Sequence, residues 1–265
     1  MPREVTAFSN ATVKLLRSLR DKKARRAEGL FLAEGLRILT EARDSGRLPE
    51  IVAFSPEGAK HPLAAEIIAA TEAAGGDAIE TSADILSKMS GKDNPQMLLG
   101  AYRQPDTSLE RIDRSKADLW IVAQALRDPG NIGTILRTGD AVGAGGLIVI
   151  DDSADPYSVE AVRASMGAVF TQAVAVARWP EFVSWLRGGE GQLVGTSLKA
   201  THDYLEADYE RPCFLLIGNE QQGLPESYEA ECDLLVKIPM AGRADSLNAA
   251  IAAAVMAFAV KASWR

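Results

Sequence analysis

From residue 118 onward the chain alternates short apolar runs with helical periodicities, and this alternation leaves few folds open. Runs at 118–124, 146–151, 173–177, 192–196, 213–217 and 234–238 have the length and the Val, Ile and Leu content of strands. Apolar residues recur at three- and four-residue spacing over 131–143, 157–166, 180–188 and 246–262, which predicts helices. Near-continuous apolar strands interleaved with helices predict a mainly parallel sheet covered on both faces. Ligands of such sheets bind beyond the carboxyl ends of the strands, so the segments there are the first place to look for chemistry.

The first hundred residues are organised differently. Residues 12–45 read as helices, with Leu15, Leu16 and Leu19, then Leu36, Leu39 and Ala42, at helical spacing. A strand is expected at 50–55, a glycine-closed helix at 62–76, a strand at 78–82, a helix at 83–90 and a strand at 96–104. This makes a small α/β domain over 1–104, a polar linker over 105–117 and a second α/β domain over 118–265. A chain of 265 residues that is 47% hydrophobic can bury two such cores.

Charge separates the same two parts. The formal net charge is -7, which argues against nucleic-acid binding by the molecule as a whole. Residues 1–103 nevertheless carry 15 Lys and Arg against 14 Asp and Glu, and the stretch 14–26, KLLRSLRDKKARR, holds seven basic residues and one acid. A basic segment on an acidic body implies different partners for the two parts, although a solvated helix face has the same composition. The start, MPREVTAFSN, lacks an apolar signal core, and the run AAIAAAVMAFAV at 249–260 is too short to span a bilayer. A soluble, cytoplasmic protein is expected, with Cys213 and Cys232 reduced and inert. The two histidines, His61 and His202, stand in polar surroundings, so neither a metal cluster nor a Ser-His-Asp triad is expected.

Three glycine-rich or polar clusters follow strand ends in the second domain. In the first, DPGNIGTILRTGDAVGA, Asp128-Pro129-Gly130-Asn131 forms a turn and opens a helix carrying Arg137. A guanidinium offers five donors in a fixed fork, suited to phosphate or ribose oxygens. A capped helix with a surface arginine accounts for the same residues. Gly139 in that helix costs roughly 1 kcal/mol relative to alanine, so the helix is expected to end or bend there. In the second cluster, IGNEQQGL, an apolar strand runs into Gly218, Asn219, Glu220 and Gly223, where a plain turn is the competing reading. In the third, IPMAGRADSLNAAIAAA, Ile238-Pro239-Met240 ends a strand. Ser246 is placed to cap the last helix, with Asn248 in its first turn. That helix is apolar nearly all round, which predicts burial in the core or against a second subunit. A nicotinamide-binding turn would need G-x-G-x-x-G after the first strand. The chain offers Gly130-Asn131-Ile132-Gly133 instead, although Asp151 stands where a ribose-binding acid would be.

Taken in order, these clusters resemble the three signature motifs of the SpoU (TrmH-type) branch of the SPOUT methyltransferases, and ASMGAVF at 164–170 resembles the segment connecting them. The resemblance covers about 118–262. More loosely, RRAEGLFLAEGLRILTEARDSG at 25–46 resembles the small α/β RNA-binding domain that often precedes this one. The resemblance implies an α/β fold with a parallel-sheet catalytic domain closed by a deep trefoil knot. It also implies a homodimer and methyl transfer from S-adenosyl-L-methionine, leaving S-adenosyl-L-homocysteine, to a ribose 2′-OH of RNA without a metal. Large-subunit ribosomal RNA is the leading substrate. Transfer RNA, or a non-catalytic role in ribosome assembly, is the alternative. Carried over residue by residue, Arg137, Asn131, Glu220, Ser246 and Asn248 would form the ribose side of the site. Thr196, Gly218, Asn219, Gly223, Ile238, Pro239, Met240 and Leu247 would hold the cofactor. Lys22, Lys23, Arg25 and Arg26 would contact RNA phosphates.

Overall fold

The computed structural model describes residues 2–219 and 222–265, in two compact units. One unit runs to Pro105 and takes in Tyr157–Thr171; the other comprises Asp106–Pro156 and Gln172–Arg265.

The first unit follows the order β1 (Arg3–Val5), α1 (Ala11–Ser18), α2 (Lys22–Glu28), β2 (Leu30–Glu34), α3 (Leu36–Asp44), β3 (Ile51–Phe54), α4 (Pro56–Ala59), α5 (Pro62–Ala73), β4 (Asp77–Thr81), α6 (Ala83–Ser90) and β5 (Leu98–Arg103). Its sheet runs β1-β4-β3-β5-β2, parallel through β1, β4 and β3 and antiparallel through β5 and β2. Leu16, Leu19, Leu32, Ile79, Ile85 and Met89 fill the core beneath it. The segment 12–45, expected to be helical throughout, contains β2. Gly29 stops α2 in a left-handed conformation, φ 65°, and Leu30–Ala33 then runs as a continuous apolar stretch between two strand-length limits. Such a run is indistinguishable from buried helix by periodicity alone.

The second unit begins with β6 (Leu119–Gln124), α7 (Pro129–Val142) and β7 (Gly146–Ile150). The chain then contributes α8 (Val159–Ser165) to the first unit. There Tyr157 packs on Phe31, ring centroids 5.0 Å apart, and Phe170 on Tyr102 at 4.7 Å. The second unit resumes with β8 (Ala173–Ala177), α9 (Trp179–Arg187), β9 (Gln192–Thr196), β10 (His202–Asp203), β11 (Cys213–Ile217), α10 (Glu226–Glu229), β12 (Leu234–Lys237) and α11 (Ala249–Ser263). Its sheet, β10-β12-β9-β11-β6-β7-β8, is parallel at every pairing. The alternation of apolar runs and helices had predicted this parallel order.

Two local expectations are revised. Residues 106–117, read as a linker, belong to the second unit: Leu109 and Ile112 enter its core. Arg114 donates to the carbonyls of Trp185, Leu186 and Glu190 and stacks 4.0 Å from the Trp185 ring. Helix α7 runs unbroken through Gly139, where an added Cβ would stand 3.0 Å from Gln172 Oε1; the glycine makes room for a neighbour. Helix α11 buries Ala253, Met256, Ala257 and Val260 against α7, β6 and β11, yet leaves Ile251 and Phe258 more than half exposed. Among the described residues, no helix is long and apolar enough to cross a membrane.

Candidate active site

The carboxyl ends of β9, β11 and β12 open into one cavity of about 340 Å³, within the range of small-molecule sites, roughly 300–1,000 Å³. Each strand delivers a different wall. Strand β9 ends at Thr196, whose hydroxyl donates to the carbonyl of Leu216 at 3.4 Å. Strand β11 runs into Gly218 and Asn219, and β12 into Ile238 and Met240. The approach to α11 adds Ser246 and Leu247.

The loop after β11 is shaped by its glycines. A Cβ on Gly218 would meet the backbone of Gly223 at 2.7 Å and that of Leu224 at 2.8 Å. The loop can therefore fold back on itself only with glycine there. Gly223, at φ 67°, closes it by donating its N–H to the carbonyl of Asn219 at 2.9 Å. Asn219 pins it to the end of β6, its Nδ2 donating to the carbonyl of Ala125 at 2.9 Å. The backbone of β9 is equally tight: a Cβ on Gly195 would stand 2.7 Å from Cys232 Sγ. Burial pushes that thiol, and that of Cys213, up to about 12, so both stay protonated and unreactive near neutrality.

A second cluster stands where α7 and α11 begin. Asp128 caps α7, accepting from Gly130 N at 2.8 Å, with Pro129 at the first helical position. Asn248 caps α11, its Oδ1 accepting from Ala250 N and Ile251 N, while its Nδ2 donates to Asn131 Oδ1 at 3.0 Å. The expectation that Ser246 caps this helix is therefore corrected. The cap falls two residues later, because Asn248 is the residue held in extended backbone with its amide oxygen over the free N–H groups. Ser246 is left exposed on the cavity wall.

Thr196, Gly218, Asn219, Gly223, Ile238, Met240, Ser246 and Leu247 thus line one cavity. Pro239 is exposed beside it without lining it. Asn131 and Asn248 are joined to each other. Arg137, two turns along α7, is exposed and makes no hydrogen bond or ion pair with the described residues. Glu220 lies outside the described residues. In the first unit Lys22, Lys23 and Arg26 are exposed, but Arg25 is only 2% exposed. Its guanidinium donates to the carbonyls of Leu19 and Arg20 at 2.9 and 2.8 Å, so it is corrected from a phosphate ligand to a structural residue.

Sequence reasoning missed Lys199, Gln222, Glu229 and Asp245, which also line the cavity. Lys199, Gln222 and Asp245 follow within a few residues of a glycine or a strand end and Glu229 ends the short helix α10, but nothing in their spacing sets them apart from solvated positions. Lys199 reaches Glu226 at 2.8 Å at the mouth, and this hydrogen bond raises the lysine's pKa and lowers the glutamate's. Both are exposed, so the pair contributes little to stability. Among the described residues no group of three or more metal-binding side chains occurs.

Residues 118–258 match the SpoU rRNA Methylase family, and residues 10–100 match an MRM3-like substrate binding domain. A 23S rRNA (uridine(2479)-2′-O)-methyltransferase of Streptomyces viridochromogenes is 33% identical over 90% of this chain and 84% of its own length. A 23S rRNA (guanosine(2553)-2′-O)-methyltransferase of Bacillus subtilis is 28% identical over 97% of this chain and 98% of its own. Among solved structures, an AdoMet-bound rRNA methyltransferase from Sinorhizobium meliloti superposes with a TM-score of 0.91 at 39% identity, covering 99% of this chain and 98% of that one. With the second and third motif segments lining one cavity at the strand ends, Asn131 of the first joined to Asn248 of the third, and the family match covering residues 118–258, the chain belongs to the SpoU rRNA methylase family.

Proposed function

We propose that this protein transfers a methyl group from S-adenosyl-L-methionine to a ribose 2′-OH of large-subunit ribosomal RNA. The observation that carries the reading is the single cavity that gathers the second and third motif segments at the ends of β9, β11 and β12. Its tight glycine backbone at Gly218, beside apolar Ile238, Met240 and Leu247, fits a flat heterocycle held against main chain. The 23S rRNA specificity of two long-coverage relatives supports the substrate, and their names differ in base, uridine against guanosine, so the family does not fix the base.

The cofactor supplies an electrophilic methyl group, so the protein's own task is alignment. Thr196, Gly218, Asn219, Gly223, Ile238, Met240 and Leu247 hold the donor side, with Pro239 shaping the backbone between its neighbours. Asn131, Arg137, Ser246 and Asn248, with Glu220, form the ribose side. Arginine stays protonated in proteins, so Arg137 acts by orienting the nucleotide and stabilising developing alkoxide charge, and the proton leaves to phosphate or water. Among the described residues its guanidinium has no hydrogen-bond or ion-pair partner, which leaves it available for substrate. The resemblance implies a trefoil knot in the C-terminal region, and the exposed apolar side of α11 is where a second subunit would pack.

Arg137→Ala is expected to lower turnover on 23S rRNA about 100-fold or more, the scale of losing one transition-state donor. Affinity for S-adenosyl-L-methionine, measured by calorimetry, should stay within a few-fold of wild type. Near-normal turnover by the variant, or calorimetric binding of NAD in place of S-adenosyl-L-methionine, would overturn the assignment.

A further inference from the structure

The first unit contains a cavity of its own, about 240 Å³, whose walls include Arg20, Ser90, Gly91, Lys92, Glu160 and Arg163. Three cations face it from three elements: Arg20 between α1 and α2, Lys92 after α6, and Arg163 on α8. Lys92 is paired with the carboxylate of Glu34, which is nearly buried and also accepts from Gln96 N at 2.9 Å. Arg20 and Arg163 are exposed and form no ion pair or hydrogen bond with the described residues. Glu160 shares the wall but is within ion-pairing distance of none of the three. Glu34 offsets Lys92 and Glu160 offsets part of the rest, so the two exposed guanidinium groups leave the concave wall with a net positive charge that favours an anion between them.

The fold fixes the main chain that carries Arg20. The buried guanidinium of Arg25 donates to the main-chain carbonyls of Leu19 and Arg20, fixing the turn that carries it. Its own guanidinium lies against Gly91, at φ 74°, so closely that any Cβ there would collide with it. The left-handed backbone that ends α6 is what favours glycine here, and its missing Cβ leaves the space that the arginine side chain occupies.

We propose that this cavity is a phosphate-binding site, in which Arg20, Lys92 and Arg163 hold one phosphodiester of the RNA backbone. Two guanidinium forks and an ammonium match the two non-bridging oxygens of a phosphodiester better than they match a carboxylate or a neutral ligand. The site rests on the reading of an RNA substrate above. It shares no residue with the proposed methyl-transfer site. Arg163 comes from the catalytic stretch of sequence, outside the substrate-binding match at 10–100, so this phosphate is read by residues from both stretches of chain.

The test uses the full chain, a 23S rRNA transcript and two variants. Arg20→Gln with Arg163→Gln removes both free cations. Gly91→Asn keeps every charge but displaces Arg20, asparagine being tolerated in left-handed backbone. Both should weaken RNA binding about tenfold at low salt. The charge variant should also reduce the slope of log affinity against log salt by roughly 0.7–0.9, the loss of one neutralised phosphate. KM for RNA should rise with kcat unchanged, and affinity for S-adenosyl-L-methionine should stay as in wild type. Unchanged RNA affinity and salt slope in the folded variants would overturn the proposal. So would inorganic phosphate that binds wild type and not the variants while RNA binding is unmoved, since the site would then serve a free oxyanion. If wild type fails to methylate the transcript, the functional reading fails, yet a variant-dependent salt slope would still uphold the phosphate site.

Discussion

Asn248 shows how much one side chain can carry here. Its amide oxygen satisfies two free N–H groups of α11 and its amide nitrogen reaches Asn131 at the start of α7, so it joins the first turns of two helices. Asn248→Ala removes the cap and one donor to Asn131 together, and should cost about 1–2 kcal/mol in urea unfolding. Asn248→Asp keeps the cap but loses the donor, and should fall between. Equal stability of all three proteins would show that the junction contributes nothing. Residue identity alone could not have assigned these roles. Ser and Asn are both good caps, and only the backbone at 248 decides between them. The same limit explains Arg25. Within KKARR it is indistinguishable from its neighbours by charge, and it is separated from them only by facing inward on α2 toward two carbonyls.

At the scale of elements, the loop after β11 is the most constrained piece of the candidate site. Gly218→Ala would press a Cβ into the backbone of Gly223 and Leu224, and the tie from Asn219 to Ala125 prevents the loop from sliding away. Affinity for S-adenosyl-L-methionine should fall at least tenfold by calorimetry, a loss of about 1.4 kcal/mol or more. Gly223→Ala meets open space and pays only for its positive φ, about 1–2 kcal/mol of stability with a smaller change in affinity. The reverse order of effects would mean that the loop does not shape the cofactor side. The strands and long helices of the second unit were legible because each buried run is uniform in character and bounded by glycine or polar residues. The three motif segments were legible because they stand at strand ends. What escaped was set by tertiary contacts. Leu30–Glu34 pairs with β5 across a long sequence gap, Leu109 and Ile112 bury two isolated side chains of a polar stretch, and Tyr157–Thr171 leaves its own sheet to pack on Phe31 and Tyr102. No local pattern encodes such partners.

For the molecule as a whole, α11 poses the remaining question of packing. A helix that is apolar all round normally has both faces covered, and this one covers only the side bearing Ala253, Met256, Ala257 and Val260. Ile251 and Phe258 stand seven residues apart, two turns along the other side, with exposures of 51% and 55%. An isolated exposed leucine or isoleucine on a surface needs no explanation, but two large apolar side chains aligned on an alanine-rich helix form a strip that water disfavours. A self-complementary contact through this strip would bury it around a two-fold axis, with each Phe258 set among the small side chains of the opposite helix. The wild-type protein is therefore expected to sediment at twice the 28.3 kDa of one chain. Ile251→Arg with Phe258→Arg should sediment as a monomer, because two guanidinium groups per chain would have to be desolvated without partners. These positions lie on the side of α11 facing away from the sheet, so the monomer should keep its fold and its circular dichroism. A monomeric wild type, or a dimer that survives both substitutions, would place the subunit contact elsewhere and leave the exposed strip of α11 to another partner.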